Sequence, residues 1–203
     1  FSGINSGLVT IGNLTLKHEW ILPSLRTNVI QSTRARHDRY GNTTTVLDPL
    51  AVDTGGGEPD LDSGHVRAIA YDPRFHTYPV SEKVYIGNGS TPLVFRATYH
   101  EGFGTVTSTL DFNGNTTSYG YDEFARLAQI IRPGDSTAFP TVEYSYALAV
   151  PHAGSNLVNY VETRQLDRPT NNPALKRDLY FISRQFTDGL GRKLLTKREA
   201  GPL

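Results

Sequence analysis

The 203-residue chain contains no cysteine, no methionine and a single tryptophan. Without cysteine there can be no disulfide, no thiolate metal ligand and no cysteine nucleophile. An excess of charge is missing too, because 20 Lys and Arg balance 20 Asp and Glu and the pI lies near 7.2. That balance removes the electrostatic case for a nucleic-acid partner. No apolar run approaches the ~20 residues a membrane-spanning helix needs. Helical periodicity is also missing, apart from one candidate turn at Pro173 to Asp178. The chain starts at Phe1 without an initiator methionine, which reads as a segment of a longer polypeptide, with any signal peptide lying outside it.

What the chain does have is punctuation. Its 11 Tyr, 19 Gly and 12 Pro, with repeated Asn-Gly and Asp-Gly steps, point to many short strands joined by tight turns. The clearest stretch runs from Asp111 to Gly134. Asp111 to Asn115 predicts a reversal, because Asn-Gly-Asn tolerates positive φ. Thr116 to Tyr121 predicts a strand with Thr117, Tyr119 and Tyr121 on one face. Asp122 opens a second turn, and Arg126 to Ile131 returns as a strand that Pro133-Gly134 stops. Arg126 can pair with Asp122 across the reversal, an interaction worth under about 1 kcal/mol if exposed. Its task would be register, since a one-residue slip turns every tyrosine to the wrong face.

Further strands are expected at Gly7 to Lys17 (as a hairpin or bulged strand), Ser24 to Thr33, Val66 to Asp72, Val84 to Ile86, Leu93 to Tyr99 and Thr105 to Leu110. Beyond the central stretch they continue at Thr141 to Leu148, Leu157 to Thr163 and Tyr180 to Phe186. Asp38 to Thr44 matches Asp111 to Thr117 at five of seven positions. Thr187 to Arg192 keeps the Asp-x-x-Gly-Arg turn. Asp53 to Gly64 has no periodicity and reads as a flexible loop, and Asp167 to Pro173 as a Pro/Asn-rich connection.

The order Asp-x-x-Gly-Asn-Thr-Thr-x-Tyr-x-Tyr-Asp-x-x-x-Arg-Leu followed by Pro-Gly closely resembles the YD repeat of RHS-type proteins. The family pattern places glycine before the arginine, where this chain has Ala125. Tyr71 to Val80 and Tyr99 to Val106 are similar to the region of insecticidal toxin-complex B subunits and SpvB-type proteins where RHS repeats begin. The resemblance covers about Arg34 to Leu195 and makes Asp111, Gly114, Asn115, Tyr119, Tyr121, Asp122, Arg126, Asp188, Gly191 and Arg192 repeat-structural residues. It implies an all-β array of antiparallel hairpins forming part of a curved or spiral β-sheet shell. Residues 1–33 would be an N-terminal strand segment and 34–203 the repeat-like region, with its flexible loop at 53–64. It further implies a secreted or cell-surface bacterial protein enclosing or delivering a cargo toxin domain, its partner being the rest of the polypeptide or a second shell subunit.

The chain lacks G-x-S-x-G, G-x-G-x-x-G, Walker-type and H-E-x-x-H motifs, and its six histidines show no ligand spacing. Asp53, Glu58, Asp60 and Asp62 could converge on calcium, but their spacing fits no EF-hand and a solvated loop is the plainer reading. No catalytic residue, metal site or cofactor is assigned. Tyr144 and Tyr146, with Tyr119 and Tyr121, could form an aromatic platform for sugars, against the plainer reading of a packed sheet face. Asp122 and Glu123 are adjacent and should point apart, a poor start for paired-carboxylate catalysis. The sequons at Asn13, Asn42, Asn88 and Asn115 matter only in a glycosylating host. Arg192, Lys193, Lys197 and Arg198 read as a solvated basic strand face. The leading expectation is a non-enzymatic structural module; the alternatives are a glycan- or cell-surface-binding adhesive module and a glycan-cleaving enzyme.

Overall fold

A computed structural model describes residues 12–20, 29–52, 58–87, 89, 91–148, 158–167 and 180–199. Among them are thirteen strands, every pair antiparallel, and no helix. The chain forms two compact units, residues 1–97 and 98–203. The first holds β1 (Leu16–Trp20), β2 (Val29–His37), β3 (Thr43–Leu47), β4 (Val66–Tyr71) and β5 (Pro79–Tyr85), and β6 (Leu93–His100) crosses the boundary. The second holds β7 (Thr105–Leu110), β8 (Thr116–Tyr121), β9 (Leu127–Ile131), β10 (Val142–Ala147), β11 (Asn159–Leu166), β12 (Tyr180–Thr187) and β13 (Lys193–Arg198). Within each unit every strand pairs with the strand before and after it in sequence. That order follows from short turns, which leave each strand only its sequence neighbour within reach.

The expected all-β, antiparallel character is what the structure shows. Thr105–Leu110 and Thr116–Tyr121 are strands with the expected bounds. Thr43–Leu47, a Thr-Thr-Thr-Val-Leu run, is a strand that the turn motif upstream of it obscured. β5 begins at Pro79, ahead of the expected Val84, because proline is tolerated at a strand's first residue. Most of Gly7 to Lys17 and of Ser24 to Thr33, part of the 53–64 loop, the 167–173 connection beyond Asp167, and the candidate turn at Pro173 to Asp178 lie outside the described residues.

Few side chains are fully covered. In the first unit Leu47 and Val66 are 2% and 1% exposed, with Ala51 buried and Tyr85 packed against them. Leu47 faces Val66, and Val66 faces Tyr85, across three neighbouring strands, so the register itself assembles this core. In the second unit Phe139, Pro140 and Tyr180 are buried.

Bulges recur beside the turns. The register skips one residue at Thr44, Val80, Ala128 and Leu194, each just after a turn opened by an aspartate. A bulge adds local twist and re-aims the neighbouring side chains. The hairpin around Asp111 pairs Leu110 with Thr116, Thr109 with Thr117 and Ser108 with Ser118, without a skip.

Candidate functional site

Four turns are built on one plan. Asp38, Asp111, Asp122 and Asp188 each accept, on Oδ1, the amides two and four residues ahead. Oδ2 takes the side chain four residues ahead, which is Asn42 at 3.0 Å, Asn115 at 3.1 Å, Arg126 Nε at 2.7 Å and Arg192 Nε at 2.6 Å. The aspartate amide donates to the carbonyl of that same residue, and the residue before it donates back to the aspartate carbonyl. Asp, Gly and Asn or Arg therefore belong at these spacings because one carboxylate satisfies three donors of a five-residue reversal.

The position before the closing residue has positive φ in all four, namely Gly41 (88°), Gly114 (82°), Ala125 (58°) and Gly191 (78°). Alanine thus holds a backbone conformation that favours glycine. Ala125→Gly is expected to raise stability by about 0.5–1 kcal/mol, whereas Gly114→Ala, where an added Cβ meets nothing within 4 Å, should lower it by about 1 kcal/mol. Thermal melts of the two variants check both signs.

Asp72 works a longer loop. Its Oδ1 accepts the amides of Arg74 and Phe75, and its Oδ2 those of Thr77 and Tyr78. The Asp72 and Asp38 turns touch: Asn42 Nδ2 donates to the His76 carbonyl at 2.6 Å, and the Tyr40 and His76 rings stack at 4.0 Å. Partial burial pulls the Asp72 carboxyl up, but the four amides outweigh it and hold the group well below the carboxylate range. At Asp111 the Asn115 amide is the chief cause of the same downward shift, and at Asp188 it is the Arg192 side chain. A lowered folded pKa stabilises the protein fully above the unfolded value and loses that contribution as pH falls through the folded one. The melting temperature is therefore expected to hold down to about pH 5 and to fall below about pH 4. Asp72→Asn should blunt that acid limb in a pH series of thermal melts.

The tyrosines latch neighbouring strands. Tyr71 donates its hydroxyl to the Thr43 carbonyl at 3.2 Å, Tyr121 to Val106 at 2.7 Å and Tyr146 to Leu127 at 2.8 Å. In the Tyr-Asp pairs at 71–72 and 121–122, then, the ring reaches back to the preceding strand while the carboxylate closes the following turn. Tyr119 lies beside Tyr121 on the same face, its hydroxyl 3.5 Å from Thr109 Oγ1. Tyr144 is half-buried, and the Tyr146 ring lies under the Arg126 guanidinium at 4.3 Å. Arg126 thus touches both Asp122 and Tyr146, joining the β8–β9 turn to β10. One ring face and the hydroxyl of Tyr146 are already engaged within the protein.

Two side-chain clusters had no motif to announce them. Asp48 Oδ2 lies 2.7 Å from His65 Nδ1, at the rim of a depression of about 300 Å³ floored by Val46 and Val84. His65 has φ 63°, a conformation costly for a non-glycine residue. No serine, threonine or cysteine lines this depression, so the pair has no nucleophile to activate.

The second cluster centres on Glu162, which is 5% exposed. Its two oxygens accept Arg164 Nε at 2.8 Å and Arg184 Nε at 2.6 Å. Burial raises its pKa, but the Arg184 and Arg164 bonds prevail and hold the carboxyl below its ordinary value. Glu143 Oε2 lies 3.9 Å from Arg164 Nη1, so one guanidinium sits between two carboxylates. Glu162 is held as an anion and is unsuited to donating a proton, which a glycosidic general acid must do. The cross-strand register carries this cluster, and only the alternation Glu162-Thr-Arg164 could have hinted at it. No family model matches the chain, and no curated protein is significantly similar to it in sequence.

Proposed function

We propose that this chain is a structural module of an RHS-type β-shell in a bacterial secreted or surface protein, where it helps to enclose or deliver a cargo polypeptide. The observation that carries the reading is the single turn plan at Asp38, Asp111, Asp122 and Asp188, combined with tyrosine hydroxyls tied to neighbouring strands. Such a scheme spends its polar side chains on holding backbone in register. Few residues are buried, and Phe103, Phe112, Phe124 and Leu190 are exposed at turns. Stacked elements of this kind gain stability from what covers them next in the array. The polar groups that could do acid–base work are bound to partners within the fold, which favours a scaffold over an enzyme.

The test is electron microscopy of the native assembly that contains this chain, with limited proteolysis of the same sample. A hollow particle whose wall includes residues 34–199, and whose enclosed polypeptide resists protease until the wall is opened, is the expected result. A solid particle, or a companion polypeptide cleaved as fast as when free, would sink the reading.

A further inference from the structure

One face of β11, β12 and β13 combines cations with aromatic rings in a way that the turn plan does not require. The register places Glu162 opposite Arg184, Arg184 opposite Lys197, and Tyr160 opposite Phe186. These side chains, with Arg164 two residues along from Glu162, therefore share that face. We propose that this patch binds an acidic polysaccharide, a sugar chain bearing sulfate or carboxylate groups, through Arg184, Lys197 and the Tyr160–Phe186 pair.

The guanidiniums are positioned before any ligand arrives. Both arginines use Nε to reach Glu162, leaving their terminal nitrogens for other acceptors. On Arg164 one of these already faces Glu143 at 3.9 Å. On Arg184, whose side chain is 49% exposed, the terminal nitrogens have no carboxylate besides Glu162 among the described residues. A planar guanidinium held at its Nε edge by a buried carboxylate pays little ordering entropy to bind an oxyanion.

Lys197 adds a second cation. It is exposed, its Nζ lies 5.7 Å from the Phe186 ring centroid, and no carboxylate among the described residues pairs with it. Arg184 lies 5.7 Å over the Tyr160 ring, and the Tyr160 and Phe186 rings are 5.5 Å apart and tilted by 45°. Within these three strands the face carries three cations, Arg164, Arg184 and Lys197, against the one carboxylate of Glu162. The surplus calls for an anion, and the two half-buried rings call for a flat, partly apolar partner. A pyranose ring with its C–H face on the aromatics and its acidic substituent on the cations meets both demands. An acidic peptide meets them less well, because this is a sheet face whose backbone amides are spent in the ladder, and it offers an extended chain no main-chain bonds. The inference stands apart from the shell reading, since it uses none of the turn residues.

The test measures binding of the full chain to immobilised heparin, to polygalacturonate, to neutral dextran and to polyglutamate across a salt series. Binding to heparin or polygalacturonate but not to dextran is expected, weakening as salt rises. Lys197→Gln and Arg184→Gln should each weaken it by roughly tenfold, the size of one lost charge-assisted contact. Arg198→Gln removes the same charge from the other face of β13, where Arg198 sits opposite Ser183, and should leave affinity within about twofold. Because Arg184 also bonds buried Glu162, Lys197→Gln, which touches only a ring, decides the matter if Arg184→Gln misfolds. Absence of binding to both acidic polysaccharides at low salt would overturn the proposal. So would equal losses in Lys197→Gln and Arg198→Gln, which would mean unspecific charge attraction. Polyglutamate binding as tightly as heparin would overturn it in favour of an acidic polypeptide.

Discussion

Replacing Gly64 with alanine is expected to destabilise the first unit by about 3 kcal/mol or more. A Cβ at that position would lie 2.4 Å from the Gly87 nitrogen and 2.5 Å from the Ile86 carbonyl carbon. Both are backbone atoms, so no side chain can rotate out of the way. The φ of +80° adds a second cost that alanine would bear even in open space. The approach is mutual, because a Cβ on Gly87 would sit 2.7 Å from the Ser63 carbonyl oxygen. This contact abuts Val66, one of the two least exposed apolar side chains, so pushing the segments apart would also loosen the Leu47–Val66 core. The sole tryptophan, Trp20, belongs to the same unit, and its fluorescence in a urea titration reports the loss. Gly114→Ala is the control, since it carries the φ cost without the collision. Equal, mild losses in both variants would mean that the two backbones do not meet.

Alkaline pH should destabilise the second unit through Tyr180. The ring is 6% exposed and its hydroxyl donates to the Pro140 carbonyl at 2.8 Å, two strands away across β11. Burial is the main reason its pKa is pushed up to about 12, with Glu143 and Asp135 adding to the effect. A proton held more tightly in the folded state stabilises that state at every pH below the unfolded value near 10. The contribution then declines as pH rises from about 10 towards 12, a loss of about 2–3 kcal/mol over that interval. Tyr180→Phe should cost about 1–2 kcal/mol at neutral pH, from the lost bond and the carbonyl left unpaired. It should also flatten the alkaline decline, leaving the smaller slope from Tyr121 and Tyr146, whose pKa values burial also raises. Urea unfolding repeated across the alkaline range separates these effects. An unchanged slope in Tyr180→Phe would assign the decline elsewhere.

The turns were legible before any coordinates because their interactions are local. Asp122 reaches no further than Arg126, so five consecutive residues contain the whole reversal, and the same holds at Asp38, Asp111 and Asp188. The departure at Ala125 did not change the turn. Its hydrogen bonds match those of the glycine turns, and the backbone takes up the strain at φ 58°. Strand bounds were clear where Thr, Val and Tyr alternate between two such turns, as at Thr116–Tyr121, and less so at Pro79, where proline marks a start and not a break.

Tyrosines two apart had to share a face, but what each hydroxyl met depended on the neighbouring strand. Tyr146 could as well have offered its ring to a sugar; instead Arg126, twenty residues earlier, covers it and Leu127 accepts its proton. Glu162 was one of 20 acidic residues, with nothing in its surroundings along the chain to single it out. It became a buried anchor only because the register set Arg184 opposite it and Arg164 beside it. Tyr180 and Pro140 are forty residues apart and meet only because β12 pairs with β11 in one register. Backbone reversals and side-chain alternation are settled within a few bonds of each residue and could be read directly. The charge cluster, the latches and the close glycine contact arise from pairing between distant segments, whose partner and register are chosen by the folded sheet.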